Sequence, residues 1–332
     1  DGGLPQRQHG EEGGAGGGIS KEEDVKNRVI IMLQSLPEEF QENDYRTKID
    51  NLSWGSIGKG LSVPLHNVLL QEIIRIQWII NLVKTSLIDI REALEGRLMM
   101  TSEIVAAIDA LYLTKPPHAW MFNANSEEIS WLSPTVASWY EGLKVRSDRL
   151  REWMNSSNNS RPAFYLTGFL NPQGFIAAFK QEVFKLKKAT IPGLTLDAIN
   201  MKFEPDKFET DPKNYMMNDK KRQQGDKNSS MVIYGMYLEG AIWSPSGNLE
   251  DNADQNSRDT VTKFPVINCV GVADDGKPVA GTQGQLYKCP VYKYPKRTDK
   301  YFIIEINLKT PGNDKDDKYW QKRGVALLCN KE

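Results

Sequence analysis

Apolar residues recur every three or four positions along the N-terminal half of the chain, a pattern that predicts amphipathic helices. Ser20 and Glu23 form a capping box at the start of the first helix, which Pro37 ends. The apolar positions of this helix are Val25, Val29, Met32, Leu33 and Leu36. Because these side chains form a single stripe, the helix needs a neighbouring element on which to pack.

A much longer helix is predicted from Pro64 to about Glu95, with Gly96 as its C-terminal cap. Its main apolar stripe consists of Leu69, Ile73, Ile76, Ile80, Val83, Leu87 and Ile90. The side chains that widen this stripe are Ile74, Trp78 and Ile79. A helix that is apolar around most of its circumference is expected to be buried between other helices.

Two shorter helices are predicted to follow. Thr101 or Ser102 caps the first of them, and Ser133–Pro134 opens the second. Their apolar positions are Ile104, Val105, Ile108 and Leu111 in the first and Val136, Trp139, Leu143, Leu150 and Trp153 in the second. Packing in the core, rather than a sugar-binding platform, is expected for the tryptophans on helical stripes, which are Trp78, Trp139 and Trp153.

The segment LTGFLNPQGFIAAFKQEVFKLKK, residues 166–188, permits two interpretations. Its glycines and its Asn-Pro-Gln-Gly cluster could grip a ligand, or they could start a helix after an extended segment. Asn171 can cap a helix whose first position is Pro172, while Gly168 and Gly174 permit close packing at that corner. The buried stripe of this helix would be Phe175, Ile176, Phe179, Val183 and Leu186. The residues therefore favour a helix start over a ligand-binding turn.

From about Leu194 the apolar period changes from about 3.6 to about 2, which indicates strands. About six segments rich in Val, Ile, Tyr and Phe are separated by turn residues. These segments are LTLDAINMKF, MVIYGMYLEG, FPVINCVGV, LYKCPVYK, YFIIEINL and RGVALLC. The polar spans 205–230 and 244–263 are predicted as long loops that are mobile or act as docking surfaces. We therefore predict an α+β fold, in which an N-terminal multi-helix layer precedes a small antiparallel β-barrel of about six strands.

The composition gives no reason to expect a nucleic-acid or membrane partner. Lys and Arg number 42 and Asp and Glu 43 among 332 residues, for a formal charge of −1. The longest apolar runs are far shorter than the roughly 20 residues that cross a bilayer. The three cysteines have no CxxC spacing and favour neither a disulfide framework nor a zinc site. We expect a piece of a longer cytosolic polypeptide, with residues 1–19 as a flexible glycine-rich leader.

The sequence lacks the motifs of common nucleotide-binding and catalytic sites. Gly58 and Lys59 do not complete a P-loop, and the G-x-G-x-x-G spacing is absent. Carboxylates at 274–275 and at 314, 316 and 317 are interpreted as solvated turn residues. Partly exposed positions at helix ends or in loops, rather than catalytic roles, are expected for the histidines, which are His9, His66 and His118.

Several of these segments resemble, in order, the C-terminal region of dynein heavy chains. SRPAFYLTGFLNPQGFIAAFKQE is similar to the G-F-F-x-P-Q-G-F segment of that family, with Leu170 where phenylalanine is usual. The likeness continues through IYGMYLEGAIW, FPVINC, YKCPVYKYPKRTDKYFI and RGVALLC. Upstream, LQEIIRIQWIINLVKTSLIDIREALEG resembles the long helix that opens the region with Q-E-x-x-R. The N-P-Q-G-F and Y-x-x-P-x-R-T-D forms are most similar to axonemal outer-arm heavy chains of the gamma type.

The resemblance implies a division of the chain and a set of structural positions. Residues 20–58 would be the last helices of the small subdomain of the sixth AAA+ module. Residues 59–190 would be the helical part of the C-terminal domain, and residues 191–332 its β-barrel. The positions that match the motifs of the family are Gln71, Glu72, Arg75, Gly168, Phe169, Asn171, Pro172, Gln173, Gly174, Phe175, Gly240, Trp243, Pro290, Tyr292, Arg323 and Gly324.

The resemblance implies that the protein is a non-catalytic module of a microtubule motor. It would brace a ring of AAA+ modules in the cytoskeleton of cilia or flagella, with ATP and Mg²⁺ bound elsewhere in the parent polypeptide. Its partners would be other AAA+ modules and other dynein subunits, and microtubules only through other parts of the parent. A cytoplasmic or intraflagellar heavy chain is the nearest alternative. A stand-alone ligand-binding β module and a hydrolase are the alternatives from other classes.

Overall fold

The computed structural model describes residues 20–54, 57–156, 161–187, 194–200, 205–212, 229–251, 261–264, 266–273, 285–311 and 315–331. Most helices precede most strands, which confirms the predicted α+β class. The helices are α1 (Lys21–Gln34), α2 (Glu42–Asn51), α3 (Pro64–Leu94), α4 (Ser102–Tyr112), α5 (His118–Met121), α6 (Val136–Met154), α7 (Pro172–Lys187), α8 (Pro205–Thr210) and α9 (Asp317–Lys322).

The long helix α3 organises the helical layer. It packs against α1, α2, α4, α5, α6 and α7. The helix begins at Pro64, and Gly96, with φ +74°, lies just beyond its end. Its buried apolar side chains include all seven of the predicted main stripe, from Leu69 to Ile90. The period of the apolar residues therefore predicted both the length of this helix and its principal buried face.

The prediction that the three side chains widening this stripe are buried is wrong for two of them. Ile79 is buried, but Ile74 is 45% exposed and Trp78 is 50% exposed. The reason is the position of α7, which begins at Pro172, beside Glu72 of α3. Ile74 and Trp78 lie beyond that point on α3, so α7 does not extend over them and each stays about half exposed. Trp139 and Trp153 are buried as predicted.

The other helix starts show how local capping selects the first residue. Ser20 caps α1 and Thr101 caps α4, as predicted. The fourth predicted helix begins at Val136, not at Ser133–Pro134, because the Thr135 side chain accepts a hydrogen bond from the Ser138 amide. The short helices α2, α5, α8 and α9 have too few apolar positions to give a periodic signal.

The strands form a mixed sheet, so the predicted small antiparallel barrel is wrong. All six predicted strand segments do contain strands. The strands are β1 (Phe164–Tyr165), β2 (Leu194–Asn200), β3 (Ser230–Tyr234), β4 (Tyr237–Glu239), β5 (Ile242–Trp243), β6 (Leu249–Glu250), β7 (Val261–Lys263), β8 (Ile267–Ala273), β9 (Leu286–Tyr292), β10 (Phe302–Lys309) and β11 (Ala326–Leu328).

Nine strands make the main sheet, in the order β1-β3-β8-β2-β10-β9-β11-β4-β7. The pairs β1–β3, β2–β10 and β9–β11 are parallel, and the other neighbours are antiparallel. Within the described residues the end strands β1 and β7 do not pair, so no ladder closes the sheet. Strands β5 and β6 pair separately. Parts of the two predicted loops are ordered elements, because α8 lies in 205–230 and β6 and β7 lie in 244–263.

The sheet curls strongly between β3 and β4. These strands are second from opposite ends of the sheet, yet only Gly235 and Met236 separate them in the sequence. Gly235 has φ +90°, and a Cβ atom there would lie 2.4 Å from the Tyr165 ring.

One continuous apolar core extends from Val25 in α1 to Cys329, the residue that follows β11. The domain boundaries at 58/59 and 190/191 remain predictions, and residues 1–19 lie outside the described part of the protein.

Candidate structural site at the junction of α3, α7 and the sheet

Residues 171–174 cap the first turn of α7. The Oδ1 atom of Asn171 accepts a hydrogen bond from the Gly174 amide at 3.0 Å, and Pro172 is the first helical residue. A Cβ atom on Gly174 would lie 2.5 Å from the Asn171 Nδ2 atom. Glycine therefore leaves room for the capping amide, and the predicted helix start is confirmed.

Glu72 of α3 holds the segment that enters α7. Its side chain is 2% exposed, and its carboxylate accepts hydrogen bonds from the amides of Leu170 at 2.8 Å and Asn171 at 3.0 Å. Burial raises the pKa of the Glu72 carboxyl, and the two amide donors oppose that change. Arg75 lies 3.8 Å from the same carboxylate and extends into solvent.

Glu182 of α7 makes the reciprocal contact with the start of α3. Its Oε1 atom accepts a hydrogen bond from the Leu65 amide at 3.0 Å, and its Oε2 atom pairs with the Arg161 guanidinium. The cap residue of α3, Val63, has no side chain that could accept a hydrogen bond. A carboxylate beside the first turn of a helix also interacts favourably with the helix dipole. Burial is the main influence on Glu182 and raises the pKa of its carboxyl, which Arg161 opposes.

The two glutamates fix the antiparallel register of α3 and α7. Each helix supplies one buried carboxylate to the beginning of the other, at Leu65 and at Asn171. The family resemblance identified Glu72 in the sequence but not Glu182. A signal was present, because Glu182 lies three residues after Phe179 and one before Val183 on the apolar stripe of α7. An ionisable residue within a buried stripe requires partners.

Aromatic rings and small residues pack beside this junction. Phe169 stacks on Phe175 with a centroid distance of 4.4 Å, and Trp153 meets both rings edge-on. Gly168 is needed because a Cβ atom there would lie 2.7 Å from the Tyr165 ring. Gln173 donates a hydrogen bond to the Phe302 carbonyl of β10. The motif residues around α7 thus contact both the helical layer and the sheet.

Thr167 and Arg146 connect α6 with the C-terminal strand region. The Arg146 side chain is buried, donates to the Thr167 carbonyl at 3.2 Å and lies 4.0 Å from the centroid of the Trp131 ring. The Thr167 hydroxyl lies 2.9 Å from the Cys329 carbonyl and 2.5 Å from the Gly235 carbonyl. Neither Arg146 nor Thr167 was identified from the sequence, because each acts through contacts with residues distant along the polypeptide.

The remaining motif residues lie in a second group within the sheet. Gly240 has φ +82°, and a Cβ atom there would lie 3.0 Å from the Arg323 carbonyl oxygen and 3.2 Å from Gly324. Arg323 pairs with Asp251 at 3.3 Å. The two groups of motif residues do not form one pocket. They are two packing sites, and the hydrogen bond from Thr167 to Cys329 connects the first of them with the end of β11.

The other motif residues of the sheet also make packing contacts. Trp243 packs on Phe264 at a centroid distance of 5.1 Å. Pro290 is in β9, opposite Glu305 of β10. Tyr292, also in β9, accepts a hydrogen bond from the Cys329 amide through its carbonyl at 2.9 Å. Of the motif residues near α7, Gln71 is exposed and lines an open groove.

The histidines show no catalytic arrangement in the described residues. The expectation that His66 is partly exposed is wrong, since its side chain is fully buried and Nδ1 lies 2.7 Å from the Gly60 carbonyl oxygen. Burial lowers the pKa of His66 from 6.5 to about 4, so protonation below neutral pH opposes folding. His118 is exposed at the first residue of α5, as predicted. His9 lies outside the described residues.

No metal or membrane site emerges from the described part of the protein. There, no group of three or more His, Cys, Asp and Glu side chains could hold a metal ion. Helices long and apolar enough to span a membrane are also absent from these residues. Asp316 caps α9 and Asp317 begins it, whereas the carboxylates at 274, 275 and 314 lie outside the described residues. Burial raises the pKa of all three cysteine thiols, Cys329 to about 12.

Comparison with known proteins gives the same family as the motifs. The family model for the C-terminal domain of the dynein heavy chain matches residues 4–329. Dynein axonemal heavy chain 5 of Mus musculus is 30% identical over 318 residues, which is 95% of this chain and 6% of that protein.

Two further relatives have similar coverage. Dynein axonemal heavy chain 8 of Homo sapiens is 29% identical over 320 residues, 96% of this chain and 6% of its own length. The "Dynein gamma chain, flagellar outer arm" of Chlamydomonas reinhardtii is 28% identical over 319 residues, again 96% of this chain and 6% of its own length. The protein thus spans a small fraction of the curated relatives it matches, and it belongs to the family of C-terminal domains of dynein heavy chains.

Proposed function

We propose that this protein is a non-catalytic regulatory and structural module of an axonemal dynein heavy chain, a microtubule-based, ATP-driven motor of cilia and flagella. In this proposal it braces the ring of AAA+ modules and tunes motility. The observation that carries the proposal is the family match over residues 4–329, together with relatives named as axonemal and flagellar heavy chains. The gamma-type outer-arm class is the specific class that we propose.

The junction of α3 and α7 supports a bracing role. A brace must transmit force without changing its own shape, and buried contacts with fixed geometry provide this property. Glu72 and Glu182 fix the register of the two helices, while Thr167 connects the helical layer with both Gly235 and Cys329 beside the sheet strands. Displacing α3 would therefore require breaking buried hydrogen bonds or moving the sheet with it.

The chemistry of the motor is assigned to other parts of the parent polypeptide. The 332 residues contain no P-loop sequence, whose backbone amides and lysine would bind phosphates. We therefore place ATP and Mg²⁺ elsewhere in the heavy chain. The partners in this proposal are the other AAA+ modules and other dynein subunits, and the location is the axonemal cytoskeleton. A cytoplasmic or intraflagellar heavy chain is the alternative assignment of class.

The test compares the parent heavy chain with a version that ends before Leu61. The two purified motors are assayed for microtubule-stimulated ATP hydrolysis, stall force and run length. We expect hydrolysis to persist in the truncated motor while force or run length changes, because the module transmits shape changes without binding nucleotide. Unchanged force and run length would overturn the bracing role. Saturable ATP hydrolysis by the 332-residue protein alone would overturn the non-catalytic assignment.

A further inference from the structure

An exposed apolar surface lies on α3, outside the junction described above. Ile74 and Trp78 are one helical turn apart and are 45% and 50% exposed, and the half-buried Leu82 follows one turn later. We name these three side chains the α3 ridge. Trp78 is the only exposed residue of the eight tryptophans, all of which are described. A row of large apolar side chains on one helix face is the usual mark of a covered surface.

An open groove lies between α3 and α7, and its lining includes Gln71, which is about one helical turn before Ile74. It has a volume of about 500 Å³, and we name it the α3–α7 groove. Its apolar lining includes Leu61, Val68, Gly174, Ala177 and Ala178. Leu61 is 40% exposed. The small side chains of α7 let another backbone approach closely, which is the geometry in which an amphipathic helix enters a groove.

Two basic side chains, Lys185 in the groove and Arg75 beside the α3 ridge, are exposed on this surface. Lys185 is the only ionisable side chain among the described residues that line the groove. Arg75, on α3 between Ile74 and Trp78, has a side chain that is 48% exposed. The nearest carboxylate to Arg75 is that of Glu72, which is buried and already bonded to two amides. An occupant that carries an acidic side chain would complement Lys185.

We propose that the α3 ridge and the α3–α7 groove together bind an amphipathic helix from a part of the parent heavy chain outside these 332 residues. Its apolar face covers Ile74 and Trp78, and an acidic side chain on its flank meets Lys185. This inference rests on the proposed function, which makes the protein part of a longer heavy chain. Beyond the proposed function, it specifies the docking surface and the chemistry of the segment that binds there.

The occupant follows from the coverage of the relatives and from the charges. The matched region is 6% of the length of the relatives, so most of such a polypeptide lies outside it. A segment of the same polypeptide binds at a high effective concentration, which favours modest contact surfaces. In a symmetric contact, a second copy would present the same surface. That surface would bring no free carboxylate to Lys185, because its exposed charged groups are Arg75 and Lys185 themselves.

Photo-crosslinking in the purified parent heavy chain tests the proposal. Trp78 is replaced by p-benzoylphenylalanine, the motor is irradiated, and crosslinked peptides are mapped by mass spectrometry. Tyr112, an aromatic residue of α4 that is 46% exposed, is replaced in the same way as a matched control. We expect the Trp78 position to crosslink to a helix of the same polypeptide outside residues 1–332. Crosslinks to a second copy or to another subunit, or no crosslink at all, would overturn the proposal.

A charge reversal tests the predicted acidic partner. Lys185→Glu in the crosslinking background should lower the yield about two- to fivefold, the range expected for a partly exposed ion pair. Reversing the acidic residue found by the mapping should restore the yield. Lys322→Glu, at an exposed position in α9, is the control and should leave the yield unchanged. An unchanged yield in Lys185→Glu would show that no acidic residue meets Lys185.

The results separate this inference from the proposed function. If truncation before Leu61 changes the force of the motor but Trp78 gives no crosslink within the polypeptide, the module braces through another surface and this inference fails alone. If Trp78 crosslinks as expected but truncation leaves force and run length unchanged, the docking surface is real and the bracing role fails. The two experiments have independent readouts.

Discussion

Removing the negative charge of Glu182 should be one of the most destabilising single changes in this protein. The Glu182 and Arg161 side chains are 1% and 2% exposed, so water screens their pairing very little. Glu182→Gln keeps an acceptor for the Leu65 amide but removes the negative charge that pairs with the Arg161 guanidinium. Breaking a buried ion pair in this way costs about 3–5 kcal/mol. We expect a loss of that size in the free energy of unfolding.

Urea unfolding of the 332-residue protein, followed by tryptophan fluorescence, measures this loss. Glu152→Gln is the matched control, because Glu152 pairs with Arg149 but its side chain is 55% exposed. A surface pair of this kind contributes about 0–1 kcal/mol, so the control should unfold nearly like the wild type. The midpoint should fall in Glu182→Gln without a change in the slope of the transition.

A double variant tests whether the two charges act as a pair. Arg161→Met combined with Glu182→Leu replaces both buried charges by apolar groups of similar size. The combined loss should be smaller than the sum of the losses of Arg161→Met and Glu182→Leu, by about 1–3 kcal/mol, because both single changes remove the same ion pair. Additive losses, or a cost below about 1 kcal/mol for Glu182→Gln, would refute the reasoning that burial makes this pair essential.

Three further changes test other features of the fold. Because burial lowers the pKa of His66 from 6.5 to about 4, the wild type should lose about 3 kcal/mol of unfolding free energy as the pH falls between those values. In urea titrations His66→Gln should remove this pH dependence of stability, whereas His118→Gln, at an exposed position, should retain it. Gly235→Ala should lower the melting temperature more than Gly96→Ala, since both glycines have positive φ but only Gly235 has a ring within 4 Å of the added Cβ. Trp78→Phe should shift the fluorescence maximum to shorter wavelength and reduce acrylamide quenching, because it removes the exposed tryptophan. An unchanged spectrum would mean that the Trp78 side chain is covered.

The sequence predicted those features that depend on neighbouring residues. The starts of α1, α4 and α7 follow from Ser20, Thr101 and Asn171, whose side chains bond to the amides three positions later. The length of α3 follows from its apolar period, with Gly96 beyond its end. Local signals of this kind were sufficient for these helices and for the six main strand segments.

The features that failed depend on contacts between distant segments. The exposure of Trp78 is set by where α7 begins, and the role of Glu182 by its contact with Leu65, over a hundred positions earlier in the sequence. The two-residue apolar period indicated where strands form but not which strands pair. The parallel pairing of β1 with β3 and of β11 with β9 was therefore not predicted. For the candidate site, the family resemblance identified Glu72 and the residues around Asn171, but not Arg146, Thr167 or Glu182.

The position of β11 has a consequence for the order in which the protein can fold during synthesis. This strand comes from Ala326–Leu328, yet it lies between β9 and β4, so it joins the β4–β7 edge to the rest of the sheet. A ribosome therefore releases these residues after the other eight described strands of the main sheet, and the nascent sheet stays divided until they emerge. Premature termination a few codons upstream of Ala326 would leave two separate sheet fragments with unpaired edges, which are prone to aggregation.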